Sequence, residues 1–199
     1  LVGSEMGIRD RIGTLVVGAP ERLTKEIPAE AKEEMEEGNR VLLVGITKEE
    51  VGLKQPLPRL QILGMICVTD PIRENASETL EFFKEQGVKI KVISGDNPAT
   101  VAAVAKKAGL LENGTYIDMS TVQTEEEINQ AAHTCSVFGR VSPIQKKQLV
   151  QALKKEGHTV AMTGDGVNDL MALKEADLSI AMGDGSDAAR QISRLVSVS

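Results

Sequence analysis

The chain has 199 residues, of which 41% are hydrophobic, and a formal net charge of −6. This length allows one large domain, or one domain with part of another, and is sufficient to bury a core. The acidic balance argues against a nucleic-acid-binding surface, because contact with the phosphate backbone requires a basic patch.

The residue composition argues against a metal site built from Cys or His and against a membrane-spanning segment. Aromatic residues make up 2% of the chain, so the core must consist of aliphatic side chains, as in parallel sheets covered by helices. The two cysteines, Cys67 and Cys135, lack a metal-ligand spacing and indicate reduced thiols of a cytosolic domain. His133 and His158 are isolated in the sequence. No apolar run approaches the roughly 20 residues that cross a bilayer, and no signal peptide is present, so a soluble segment is expected.

The first third of the sequence predicts two strands separated by helical structure. Residues 11–19 and 40–47 are rich in Val, Leu and Ile, which is typical of buried strands. Between them, a helical stretch begins at Pro20, is interrupted by Pro28 and is closed by Gly38.

A polar connection over residues 48–59, which contains two prolines, predicts a domain boundary. Residues 1–50 are therefore assigned to one domain and residues 51–199 to another. In the second domain strands and helices alternate, which predicts a doubly wound parallel α/β sheet. The predicted strands cover residues 60–69, 88–93, 136–141, 158–162 and 178–182, and the predicted helices cover residues 74–86, 98–108, 125–132, 143–156 and 170–176.

Polar residues follow three of these predicted strands directly. Asp70 follows the first strand, residues 94–96 (SGD) follow the second, and Asp165 follows the fourth. In doubly wound sheets ligands bind beyond the carboxyl ends of the strands. We therefore expect these residues to lie on one ligand-binding rim.

The run from Thr163 to Asp169 (TGDGVND) is the most informative part of the chain. It places Asp165 and Asp169 four residues apart on a loop that leaves a strand, with a glycine on each side of the first aspartate. Two close carboxylates repel each other unless a cation or a proton lies between them, and Mg2+ is a suitable hard cation. An acidic loop that only caps a helix would explain a lone GDG. Seven specified residues followed by a matching strand favour the metal site.

This run resembles the last motif of the P-type ATPases, cation pumps whose phosphorylation domain has the haloacid-dehalogenase fold. The resemblance extends from about residue 11 to the end of the chain. Five further segments resemble family motifs in the family's order: GAPE at 18–21, GNRVL at 38–42, DPIR at 70–73, SGDN at 94–97, and FGRVSP at 138–143 with Lys146. The resemblance implies a haloacid-dehalogenase-like Rossmannoid α/β domain that follows the end of an α+β nucleotide-binding domain.

The resemblance also implies which groups bind the transferred phosphate. Ser94 would donate its hydroxyl and Gly95 its amide to a phosphate oxygen, and Lys146 would neutralise the phosphate charge. The alternative for residues 94–96 is an ordinary turn whose Ser or Asp caps the helix beginning near Pro98. Arg140 is expected mainly to organise this hinge.

For the metal, the resemblance implies that Asp165 is the direct Mg2+ ligand. Asn168 and Asp169 would complete the phosphate and metal environment, and Asp169 would not contact the metal directly.

Nucleotide contacts are implied for residues in the first half of the chain and at the hinge. The residues concerned are Gly18, Arg40, Asp70, Arg73 and Asp96. A salt bridge that fixes the loop is an alternative role for the Asp70 and Arg73 pair.

Two departures from the family bear on these expectations. Val17 occupies the position where the family often has a Lys before GAPE, so ATP binding is expected to be weak or differently built. The family's D-K-T-G-T-L-T segment, which carries the phosphorylated aspartate, does not occur. The sequence DRIGTL beginning at Asp10 looks similar, but Arg11 and Ile12 replace the Lys and Thr, and it lies only a few residues before GAPE. We interpret residues 11–17 as a strand leading into GAPE.

The function predicted from the resemblance is that of a cytosolic part of an ATP-driven cation pump. The pump would lie in the cell membrane, use Mg2+ and ATP, and form an aspartyl phosphate. Its partners would be ATP, the transported cation and the rest of the pump, and the isolated chain would be inactive and prone to self-association. Two alternatives are a soluble phosphatase of the same superfamily, which needs a D-x-D-x-T/V motif that is missing here, and a non-catalytic regulatory module.

Overall fold

The computed structural model describes residues 13–49, 51, 57–69, 71–110 and 115–197. The chain divides into two compact units, Leu1–Arg73 and Glu74–Ser199. The boundary predicted from the sequence lies earlier, after residue 50.

Unit 1 is built around an antiparallel sheet of three strands in the order β1-β2-β3. A small core of Ala31, Met35, Val41 and Leu43 lies between the second helix and the sheet. The elements of this unit are β1 (Thr14–Gly18), α1 (Pro20–Leu23), α2 (Ala29–Glu36), β2 (Arg40–Thr47) and β3 (Gln61–Val68).

The proline and glycine signals of this unit act as the sequence predicts. Pro20 lies at the first position of α1, where its missing N–H costs nothing. Pro28 precedes α2 at its N-cap position. Gly38 follows α2 with φ of 88°, a left-handed conformation that ends helices.

The strand predicted over residues 60–69 forms, but its expected parallel partners are wrong. It is observed as β3, which pairs antiparallel with β2, so that Val41 lies opposite Cys67. An apolar run specifies a strand without specifying its partner, and a strand close in sequence pairs at a small cost in loop entropy. Leu63, Ile66 and Val68 of β3 remain about half exposed.

Unit 2 confirms the predicted α/β alternation, and all of its strand pairs are parallel. Its strands are β4 (Val92–Ile93), β5 (Tyr116–Asp118), β6 (Val137–Gly139), β7 (Ala161–Gly164), β8 (Leu178–Met182) and β9 (Leu195–Ser197). Its helices are α3 (Ala76–Glu85), α4 (Pro98–Lys107), α5 (Glu125–Thr134), α6 (Pro143–Lys155), α7 (Leu170–Glu175) and α8 (Asp187–Ile192). The sequence did not predict β5, α8 or β9.

The parallel strands of unit 2 form two sheets, ordered β4-β6-β5 and β7-β8-β9, where the sequence predicts one. Strands β4 and β7 each lie at an edge of their sheet. Helix α6 packs against both sheets' cores, because Leu149 belongs to one hydrophobic cluster and Val150 to the other. Leu153 contacts both clusters.

Helix α6 begins at a strongly specified position. Ser142 accepts a hydrogen bond from the amide of Gln145, and the Gln145 side chain accepts one from the amide of Ser142. This reciprocal pair, with Pro143 in the first turn, fixes where the helix starts. Lys146 therefore projects from the first turn of α6. Across the described parts of the chain, no helix combines the length and apolar character needed to cross a membrane.

Candidate phosphate and magnesium site

The loop after β7 gives its two aspartates different environments. The chain passes Gly164, makes a 3-10 turn over Val167–Asp169 and enters α7. Asp169 is buried, whereas Asp165 and Asn168 are exposed. The backbone of Gly164 lies so close to Asp169 that a Cβ atom there would be 2.7 Å from the Asp169 Cβ. A glycine is thus required for the buried aspartate to fit.

The buried Asp169 forms an ion pair with Lys146. The Lys146 Nζ donates to Asp169 Oδ1 at 2.7 Å, and the two side chains are only 12% and 9% exposed. The amide of Gly166 donates to the other oxygen, Oδ2, at 3.3 Å. With both oxygens of Asp169 engaged, the exposed carboxylate of Asp165 is the better placed of the two to contact a cation directly.

A neighbouring loop fixes the main chain at Asp165. The amide of Ser186 donates to the Asp165 carbonyl oxygen at 2.7 Å, and the Ser186 hydroxyl caps α8 by accepting from the amide of Ala189. A Cβ atom at Gly185 would lie 2.7 Å from the same carbonyl oxygen. Sequence reasoning missed this loop, although the second GDG, at 183–185, was a usable signal.

The oxygen ligands of this loop fit Mg2+ better than they fit a metal that needs three or more protein ligands. No group of three or more His, Cys, Asp or Glu residues that could hold a metal occurs in the described ranges. Mg2+ commonly keeps several waters and takes one or two carboxylates together with substrate phosphate oxygens. A single exposed aspartate, Asp165, beside a fixed main chain suits that mode of binding.

Ser94 begins the loop after β4, and its amide continues the hydrogen bonding between β4 and β6. The Ser94 amide donates to the Phe138 carbonyl at 2.9 Å, and the Ser94 hydroxyl oxygen accepts from the amide of Asp96 at 3.1 Å. Asn97, rather than Ser94 or Asp96, caps α4 by accepting from the amide of Ala99 at 2.9 Å. The capping alternative considered from the sequence is therefore wrong for Ser94 and Asp96.

The residues after β6 hold this loop from the other side. The Arg140 amide donates to the Asp96 carbonyl at 2.8 Å, and the Val141 amide donates to the Ser94 carbonyl at 3.0 Å. Gly95 lies exposed between these two tethered residues. The segment after β6 is thus joined to the loop after β4 by two main-chain hydrogen bonds.

Arg140 itself is held by a carboxylate that sequence reasoning did not select. Its Nη1 donates to Asp118 Oδ2 at 2.6 Å. Asp118 Oδ1 accepts from both the amide and the hydroxyl of Ser120, at 3.0 and 2.6 Å. Burial raises the pKa of Asp118, but the hydrogen bonds from Ser120 and the Arg140 guanidinium outweigh it, so the pKa is lowered overall.

The residues implied in nucleotide contacts lie mainly in unit 1. Gly18 ends β1, and a Cβ atom there would lie 2.6 Å from Leu23 Cδ1, so the Leu23 side chain would have to shift to accept a larger residue. Arg40 begins β2 and Arg73 ends the unit, both with exposed side chains. Asp70 lies outside the described residues.

The segment resembling the phosphorylation motif is described only in part. Asp10 lies outside the described residues. From Thr14 onward the segment is strand β1, paired antiparallel with β2 and followed directly by α1. The described part therefore has the structure expected of a strand leading into GAPE.

Comparison with known proteins agrees with the motifs. A family model for haloacid dehalogenase-like hydrolases matches residues 4–177. The chain is 48% identical over 187 residues to a probable cation-transporting ATPase, exp7, of Streptococcus pneumoniae serotype 4, covering 93% of the chain and 24% of that protein. It is 40% identical over 188 residues to the calcium-transporting ATPase CtpE of Mycolicibacterium smegmatis, covering 92% of the chain and 24% of that protein.

A magnesium-transporting ATPase, P-type 1, of Salmonella typhimurium is 32% identical over 197 residues, covering 94% of the chain and 21% of that protein. The chain thus spans about a quarter of the length of these curated relatives. The resemblance to P-type cation-transporting ATPases is confirmed over most of the chain. The chain belongs to the haloacid dehalogenase-like hydrolase family.

Proposed function

We propose that this chain is the catalytic part, on the cytoplasmic side, of an ATP-driven cation pump in the cell membrane. The pump hydrolyses ATP through an aspartyl phosphate. The observation that carries the proposal is the pairing of Lys146 with the buried Asp169 beside the exposed Asp165. A solvated acidic loop would have no need of a nearly buried lysine, whereas phosphoryl transfer needs a fixed cation next to a metal-binding carboxylate.

Different residues of unit 2 bind the phosphate, neutralise its charge and hold the metal. The Ser94 hydroxyl and the Gly95 amide hold a phosphate oxygen, on a loop tethered by main-chain hydrogen bonds. Lys146, oriented by Asp169, supplies positive charge, and Asn168 is exposed on the same loop as Asp165. When bound at Asp165, Mg2+ would neutralise charge on the phosphate oxygens.

The nucleophilic aspartate belongs to a segment of the pump outside these 199 residues, so the chain alone does not turn over. Two structural features support a larger folding unit. Strands β4 and β7, which carry the two site loops, are edge strands, and among the described residues each pairs with one neighbour only. Helix α3 has no buried residue, and its Phe82 and Phe83 are exposed.

ATP would be bound with help from Gly18, Arg40, Asp70, Arg73 and Asp96. Val17, which cannot offer a charge, makes binding by the isolated chain weak. The transported cation would be selected by membrane helices of the pump, beyond this chain. The named relatives transport calcium and magnesium, which makes these two ions the first to test.

The test is cation-dependent ATP hydrolysis by the complete protein that contains this sequence, purified in membranes. Asp165→Asn is expected to lower the rate on the order of 100-fold, the loss typical of removing one electrostatic group from a phosphoryl or acyl site. Glu126→Gln, on the exposed face of α5, is the matched charge control and should leave the rate unchanged.

Two results would overturn the proposal. One is ATP hydrolysis that no transported cation stimulates and that Asp165→Asn leaves intact. The other is hydrolysis of a simple phosphomonoester by the 199-residue chain alone, which would favour a free-standing phosphatase.

A further inference from the structure

Arg140 has a backbone conformation that its side chain does not favour. Its φ is 51°, and it is the one non-glycine residue of the described chain with positive φ. An L-residue with a Cβ atom is disfavoured in the left-handed region, where glycine is the usual occupant. A non-glycine residue remains there only when its surroundings stabilise it, and such residues concentrate at functional sites.

The left-handed turn at Arg140 has a direct consequence for the candidate phosphate loop. Because the chain turns here, two successive amides, of Arg140 and Val141, donate to the carbonyls of Asp96 and Ser94. These hydrogen bonds hold the two residues on either side of Gly95. If Arg140 relaxed to an ordinary conformation, both amides would change direction together.

The ion pair with Asp118 is a described contact that can offset this backbone cost. Asp118 ends β5, whose register places it beside Gly139 of β6, one residue before Arg140. Its carboxylate is oriented by Ser120 and reaches Arg140 Nη1 at 2.6 Å, with both side chains about one-third exposed or less. The carboxylate thus holds the arginine side chain from a strand that lies on the far side of β6 from β4.

We infer that Asp118 is a positioning residue for the phosphate-binding loop of residues 94–96, acting through the left-handed conformation of Arg140. The described partners of the Asp118 carboxylate are Ser120 and Arg140, neither of which belongs to the loop. Its carboxylate stabilises Arg140, and Arg140 with Val141 fixes the carbonyls on both sides of Gly95. The inference rests on the proposed function for the claim that the loop binds phosphate, but the tethering of the loop is measurable without any ligand.

The first measurement is amide hydrogen exchange on the 199-residue chain. Asp118→Asn should reduce the protection of the Arg140 and Val141 amides by about fivefold, the order set by the cost of a left-handed non-glycine residue. Protection in the middle of α6, at Leu149 and Val150, should not change. Ser120→Ala is the matched control, since it removes the hydroxyl's hydrogen bond to Oδ1, whereas the Ser120 amide still orients the carboxylate and Oδ2 still pairs with Arg140.

Repeating the substitution in an Arg140→Gly variant distinguishes a positioning role of Asp118 from a general loss of stability. Arg140→Gly tolerates the left-handed turn without strain, so the loop should no longer depend on Asp118. Adding Asp118→Asn to Arg140→Gly should then leave the Val141 amide unchanged. If Asp118 only stabilised the turn at residues 119–121, the second substitution would lower protection in either background, and the inference would be wrong.

The last measurement links the tether to ligand. Inorganic phosphate with Mg2+ is titrated while the Gly95 amide shift is followed by NMR. Asp118→Asn should raise the apparent phosphate dissociation constant by the factor by which it lowers the fraction of molecules with a tethered loop, and this factor is at most the loss of protection. No phosphate response in the unsubstituted chain would count against the proposed function, whereas unchanged Arg140 and Val141 protection in Asp118→Asn would overturn the positioning role.

Discussion

Replacing Lys146 by Met should destabilise unit 2 far more than an ordinary surface lysine does. The Lys146 ammonium lies 2.7 Å from Asp169 Oδ1, and both side chains are nearly buried. Methionine keeps most of the side-chain volume and removes the charge. The Asp169 carboxylate would then keep only the Gly166 amide, at 3.3 Å, as a described hydrogen-bond donor.

The magnitude follows from the burial of the pair. Removing one partner of a buried ion pair costs about 3–5 kcal/mol, chiefly because the remaining charge is left without compensation. Since Asp169 keeps one amide donor, we expect the free energy of unfolding to fall by about 3 kcal/mol. In Lys146→Met/Asp169→Asn neither residue is charged, so the double variant should lose clearly less than the sum of the single variants, with a coupling energy of about 2 kcal/mol.

The measurement is urea unfolding followed by circular dichroism for the two single variants and the double variant. Lys147→Met is the control, because Lys147 Nζ lies 3.9 Å from Glu175 and its side chain is 42% exposed. That exposed pair should contribute less than about 1 kcal/mol. The reasoning fails if Lys146→Met costs no more than Lys147→Met, or if the coupling energy is close to zero.

Four further outcomes are expected. Mg2+ should bind weakly and shift the amides of residues 164–169 first; shifts confined to the acidic helix α5 would contradict the metal assignment. Gly185→Ala should weaken this Mg2+ response several-fold, because its Cβ would displace the carbonyl of Asp165, and an unchanged titration would show that the loop adapts. The isolated chain should hydrolyse no ATP, and γ-phosphate incorporation abolished by Asp10→Asn would contradict this. The chain should also self-associate through the edge strands of its described sheets, which a strictly monomeric sedimentation profile with a sharp, high melting transition would disprove.

Local signals in the sequence were enough to predict most elements of unit 2. Helix α6 carries a Ser142–Gln145 capping box and a proline in its first turn, and its predicted start at residue 143 agrees with the structure. Asp165 and Asp169 were correctly placed between a strand and a helix, although Thr163 and Gly164 of the same motif belong to strand β7, which was predicted to end at residue 162. These features depend on neighbours within a few residues, which a sequence pattern records directly.

The structural features that the sequence did not predict correctly depend on residues far apart in the chain or on segments too short to give a pattern. The partner of β3 could not be predicted, since an apolar run fits either an antiparallel or a parallel neighbour. Strand β5, at three residues, is too short to give a periodic signal. The left-handed Arg140 has no local signature, and its described side-chain partner, Asp118, lies 22 residues away.

The segment from β6 to the first turn of α6 explains how the two site loops are coordinated although they leave different sheets. Arg140 and Val141 tether the loop after β4, and Lys146 then pairs with Asp169 in the loop after β7. Ser142, which caps α6, lies between these two contacts and fixes their spacing along the chain. No sheet hydrogen bond joins β4 to β7 in the described structure, so this segment carries the described main-chain and ionic links to both loops. A substitution that shifts the start of α6 should therefore disturb the loop after β4 and the loop after β7 together, whereas one within either loop should act on that loop alone.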